Sequence, residues 1–233
     1  MVRAVLLDAG EVLVHLLSWS ERLRRALSPA PWQCDDAALA RGVDAALAWA
    51  AAHTHVDLLP DGEAEDAWAL GQARAIAGAL GVAGLDPRYL RDTCHNSAAL
   101  APLDDPFAVL PALRAAGLRL VVISDAPPSI RAALVRLGIR PLVDEVVLSS
   151  EVGALKPDPA MFRAALDKAG VEAGEAVFLD DLPGNVDGAR AFGLARAWLV
   201  DRAGRWPDRG DRLDDLHPLP ALLAGPDQVD GRR

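Results

Sequence analysis

The chain has 233 residues, of which 52% are hydrophobic, with a formal net charge of -9. That length and apolar content exclude a largely disordered chain, and the acidic balance excludes a nucleic-acid binder, which needs a basic face for the phosphate backbone. No apolar run reaches the length of a membrane span. An apolar stretch follows Arg3, but Asp8 and Glu11 interrupt it and no small-residue cleavage site follows, so it does not read as a signal peptide.

In chain order, the first element is a short apolar strand, Arg3–Leu7, that stops on Asp8. Residues 18–100 then carry no strand-like runs. Asp35-Asp36 caps a helix with Leu39, Val43, Ala46, Leu47 and Ala50 at helical spacing. A second helix runs from about Glu63 to Leu80 and stops at Gly81, and Asp86-Pro87 opens a third.

From Leu103 the pattern alternates. Helix Pro106–Ala116 precedes a strand at Leu118–Ile123 that ends on Ser124, and a helix near Ser129–Leu137 precedes a strand at Glu145–Leu148. Helix Pro159–Ala169 leads into the apolar run Ala176–Leu179, which ends on Asp180-Asp181. A helix near Asn185–Phe192 and a strand at Ala195–Val200 complete the series. Alternation of this length predicts βαβ units and an α/β fold around a doubly wound parallel sheet. Residues 1–17 and 101–224 form its core, residues 18–100 an inserted α-helical cap, and 225–233 a disordered polar tail.

Ligands of open α/β sheets bind outside the carboxyl ends of the strands. Asp8, Ser124 and Asp180-Asp181 all fall there. A carboxylate such as Asp8 can act as a nucleophile, with turn capping as its structural alternative. Ser124, with the amides of Asp125, Ala126 and Ser129 at a helix start, suits an anion; a plain strand-to-helix cap is the alternative. Lys156 is one of only two lysines and sits in the stiff Lys156-Pro157-Asp158-Pro159 loop. Adjacent carboxylates at Asp180-Asp181 repel unless a cation lies between them, and hard oxygen ligands suit Mg2+. Asn185 follows at hydrogen-bonding range of the lysine or of the metal's surroundings.

Together Asp8, Ser124, Lys156 and Asp180-Asp181, with the segment Ser149–Pro159 (SSEVGALKPDP), resemble the haloacid dehalogenase superfamily, in its phosphatase-like branch with a helical cap. The resemblance implies a Rossmann-like core and Mg2+ held by Asp8, the Gly10 carbonyl, Asp180 and Asp181. It also implies an aspartyl-phosphate intermediate on Asp8, phosphate held by Ser124, Asp125, Ala126, Lys156 and Asn185, and a small phosphorylated metabolite as substrate. Many of these phosphatases carry an acid/base aspartate two residues after the nucleophile; here that position is Gly10. Glu11, His53 or His55 is then the substitute, or the substrate has a leaving group that needs little protonation. Haloacid dehalogenation and a degenerate, phospho-ligand- or partner-binding role stay open as alternatives. The expected state is a cytoplasmic monomer or homodimer, with Cys34 and Cys94 reduced.

Overall fold

The computed structural model describes residues 1–28, 32 and 34–224; the tail expected to be disordered lies outside them. The elements in order are β1 (Ala4–Leu7), β2 (Val14–Leu16), α1 (Trp19–Leu27), α2 (Asp36–Ala52), α3 (Gly62–Leu80), α4 (Pro87–Cys94), β3 (Leu100–Pro102) and α5 (Asp105–Ala115). Next come β4 (Arg119–Ser124), α6 (Ile130–Arg136), β5 (Glu145–Leu148), α7 (Ser149–Val152), α8 (Pro159–Ala169) and β6 (Ala176–Asp180). The series ends with α9 (Pro183–Phe192), β7 (Arg196–Val200), β8 (Arg212–Leu213) and α10 (Leu219–Leu223).

Six strands form one sheet in the order β5-β4-β1-β6-β7-β8, with every pair parallel. Side chains alternate between the two faces of a strand, so β1 divides its apolar residues between two cores. Val5 and Leu7 pack with Leu110, Leu113 and Leu134 from α5 and α6. Ala4 and Leu6 pack on the other face with Met161, Phe162, Val186 and Ala189 from α8 and α9. Both faces are covered, which is why these strands read as continuous apolar runs.

Helices α1 to α4 bury a separate cluster built on Leu23, Leu39, Ala46, Ile76, Leu80 and Leu90. Asp35, Asp61 and Asp86 accept N-terminal amide hydrogens of α2, α3 and α4, and Gly81 closes α3 in a left-handed conformation. Leu47, expected on the apolar face of α2, is instead exposed. Helix α1 was not anticipated; Ser18 and Glu21 form a reciprocal cap at its start. The two chain segments entering and leaving this helical unit run antiparallel as β2 and β3, with Val14 opposite Pro102 and Leu16 opposite Leu100.

Helix α9 lies close against the Lys156 loop. A Cβ added at Gly188 would sit 2.3 Å from Pro157 Cβ. Overpacking of this kind costs about 1–3 kcal/mol. Gly188→Ala is therefore expected to lower the urea midpoint and to reduce turnover by displacing the lysine loop; an unchanged midpoint would count against tight packing here. No helix among the described residues is long and apolar enough to cross a membrane.

Candidate active site

Strand β1 lies between β4 and β6, and Leu7 is level with Val122 and Leu179. Asp8 and Asp180 directly follow those positions and Ser124 lies two residues past Val122, so all three are brought to one edge of three adjacent strands, about 4.8 Å apart. The sheet order turns outward in both directions from β1, so this edge is a topological switch point. The Asp8 amide continues the ladder by donating to Leu179 O at 2.9 Å. Beyond Asp8 the chain tightens: Leu13 and Val14 both donate to Ala9 O, and Glu11 adopts φ 53. A left-handed conformation is uncommon for glutamate. The Glu11 side chain holds the turn's exit, lying 2.9 Å from His15 Nδ1 and accepting the Leu16 amide at 3.1 Å.

Lys156 closes the site. Its Nζ lies 2.5 Å from Asp8 Oδ1 and 2.7 Å from Asp180 Oδ2, and its side chain is only 2% exposed. Asp125 fixes the base of this lysine by accepting its backbone amide at 2.9 Å. Burial opposes the ammonium charge, but Asp8, Asp180 and Asp125 together hold the Lys156 pKa above the ordinary lysine range. Burial drives the Asp8 carboxyl up toward about 7; Lys156 pulls against it and Asp180 adds to it. Asp181 is raised by burial and by Asp180, although Arg205 pairs with it at 2.9 Å.

Two of the expected amide donors are corrected. The Ala126 amide is not free for phosphate, because it donates to Ser149 Oγ at 2.9 Å. Helix α6 begins at Ile130 rather than Ser129, and the Ser129 amide is spent on Glu65 Oε2 at 2.9 Å. Only the Asp125 amide of the three has no acceptor among the described residues. Of the two partners expected for Asn185 it meets the second kind: its Nδ2 donates to both Asp180 oxygens at 3.1 Å, so it orients that carboxylate. Ser124 is 4% exposed at the end of its strand, as the apolar run implies.

Of the proposed substitutes for an acid/base at position 10, His53 stacks on Trp49, at a centroid distance of 3.6 Å, and Glu11 is held in its turn. Residues that sequence reasoning missed include Arg205, Ser149 and Glu65. Glu65 of α3 takes the hydroxyl and amide hydrogens of Ser129 and lies 2.5 Å from His95 Nε2, joining the helical unit to the sheet domain.

Asp8, Asp125, Asp180 and Asp181 face two cations, Lys156 and Arg205. The side chains of Asp8, Asp180 and Asp181 do not converge on one point, since Lys156 stands between the first two and Asp181 turns to Arg205. The set is nevertheless hard oxygen with an excess of negative charge. It fits a divalent cation of the Mg2+ type.

A family model described as haloacid dehalogenase-like hydrolase matches residues 2–193. The chain belongs to that family. This hydrolase is 34% identical to a phosphoglycolate phosphatase of Rhodospirillum rubrum over 201 residues, covering 83% of this chain and 78% of that one. It is 37% identical to a phosphoserine phosphatase of Thermus thermophilus over 120 residues, which are 51% of this chain and 45% of the relative. The match thus spans about half the length of that second relative. An L-2-haloacid dehalogenase from Xanthobacter autotrophicus shares the fold, with a TM-score of 0.68 at 21% identity over 97% of this chain and 99% of its own.

Proposed function

We propose that this hydrolase is a Mg2+-dependent phosphomonoester hydrolase acting on a small phosphorylated metabolite through an aspartyl-phosphate on Asp8. The observation that carries the reading is the Asp8–Lys156–Asp180 bridge at the strand ends. It couples a buried carboxylate nucleophile to a fixed cation, with further carboxylates beside it.

Asp8 attacks phosphorus opposite the leaving oxygen, and water then hydrolyses the acyl phosphate. Lys156, Ser124 and the Asp125 amide hold the phosphoryl oxygens, so catalysis is mainly positioning and electrostatics. Mg2+ bound by Asp8, the Gly10 carbonyl, Asp180 and Asp181 would screen the repulsion between the two anions that must meet. Asn185 keeps Asp180 oriented through both of its oxygens. Residues 18–100 serve as a cap that excludes water and reads the rest of the substrate, pivoting at the paired segments β2 and β3.

Release of phosphate from p-nitrophenyl phosphate tests the reading. It is expected with Mg2+, lost with a chelator and recovered when Mg2+ is restored. Halide release from a 2-haloacid in chelator, with no phosphate release, would establish the dehalogenase alternative instead.

A further inference from the structure

Nearly every carboxylate around the Asp8 edge is committed to a partner. Asp8 and Asp180 share Lys156, Asp181 pairs with Arg205, and Asp125 holds the Lys156 amide. Glu11 is tied to His15 and Leu16, and Glu65 to His95 and Ser129. Asp57 is the exception. Its carboxylate makes no hydrogen bond among the described residues; His55 Nδ1 pairs with it at 3.4 Å, too far for a strong hydrogen bond, and its side chain is 16% exposed. It is enclosed and still reachable.

The placement of Asp57 is fixed from below. It lies in a 3-10 turn, Val56–Leu58, of the helical unit. Ser149 Oγ donates to Asp57 O at 2.6 Å and accepts from the Ala126 amide at 2.9 Å. One hydroxyl therefore ties this turn to the loop that follows Ser124. The charged groups that act on Asp57 are Asp125 from that loop, Glu65 from α3, Lys156 from its own loop and the adjacent His55.

We propose that Asp57 is the proton-transfer residue of this site, delivering a proton from the helical unit to the leaving oxygen of the phosphomonoester. In the first step a bond forms from Asp8 to phosphorus, the bond from phosphorus to the leaving oxygen breaks, and the Asp57 proton passes to that oxygen to give the alcohol. In the second, water bonds to phosphorus as the Asp8 ester bond breaks. Asp57 takes one water proton, and inorganic phosphate leaves with both side chains restored. Burial, followed by the charges of Asp125 and Glu65, pushes the Asp57 pKa up to about 7 against the pull of Lys156. A carboxyl in that range is protonated in useful amount near neutral pH. Position 10 does not compete, since glycine has no acid, yet a Cβ there would meet only Asp8 Oδ2, at 3.6 Å.

The role rests on the phosphatase reading, and leaving-group dependence separates the two. The wild type is expected to turn over both p-nitrophenyl phosphate and phenyl phosphate, phenol being the more basic leaving group. Asp57→Asn should lower kcat for phenyl phosphate by ~10^2-fold or more and for p-nitrophenyl phosphate by less than about tenfold. Turnover of phenyl phosphate by the wild type should fall as pH rises through about 7, and Asp57→Asn should flatten that limb. Adding Gly10→Asp to Asp57→Asn should recover part of the phenyl phosphate rate. A thermal melt at pH 8 no lower than wild type checks that the variant folds, since a neutral amide replaces an enclosed carboxylate. Equal losses on both substrates, or none on either, overturn the role of Asp57 while the phosphatase reading stands. A wild type inactive on p-nitrophenyl phosphate overturns both.

Discussion

Asp8→Asn is expected to reduce phosphate release on the order of 10^4-fold or more, the scale seen when a covalent nucleophile is removed. The amide has the same shape and keeps an oxygen that can accept from Lys156, which also retains Asp180 at 2.7 Å. The fold should therefore survive, with a melting temperature within a few degrees of the wild type. Rate and stability are separated by this one variant. A residual rate above about one tenth of wild type would place the nucleophile on another residue.

Lys156→Met should act on both quantities. The ammonium lies between two carboxylates, and its side chain is 2% exposed. Removing one partner of a buried ion pair costs about 3–5 kcal/mol, because the remaining charge is left without compensation. Here two like charges are left together. For a chain of this size that corresponds to a fall of roughly 10 °C in melting temperature at pH 8. The deficit should shrink as the pH is lowered toward 5, since protonating a carboxylate relieves the repulsion that the lysine had neutralised. Equal melting temperatures at pH 8 would show that the bridge carries no net stability. Phosphate release should also be lost, even in the fraction that remains folded, because the phosphoryl group loses its fixed cation.

Much of this candidate site was legible because parallel strands buried on both faces leave uninterrupted apolar runs, and each run ends on one of its polar residues. Leu7 to Asp8, Ile123 to Ser124 and Leu179 to Asp180 are such transitions, and the glycines after α3, α8 and α9 mark helix ends through their left-handed backbone. Strands β2 and β3 span three residues each, too short to display a period. Helix α1 did carry a readable Ser18-x-x-Glu21 signal, but its arginine-rich sequence hides an apolar stripe. The availability of the Ala126 and Ser129 amides could not be read locally, because their acceptors are Ser149 and Glu65. Asp57 gives no pattern in Val56-Asp57-Leu58. Its significance comes from Ser149 and Asp125, both remote in sequence.

The central position of β1 also governs the order in which the molecule can be assembled. Ala4 finds its neighbours at Arg119 and Ala176, so the strand carrying Asp8 gains its first ladder partner more than a hundred residues later in the chain and its second only at β6. Helices α1 to α4 find theirs nearby in sequence and can condense earlier. Asp8 is therefore translated well before β4 and β6 and is enclosed only once both have formed. A nascent chain halted before residue 176 would carry a formed helical unit beside an apolar strand edge still open to aggregation.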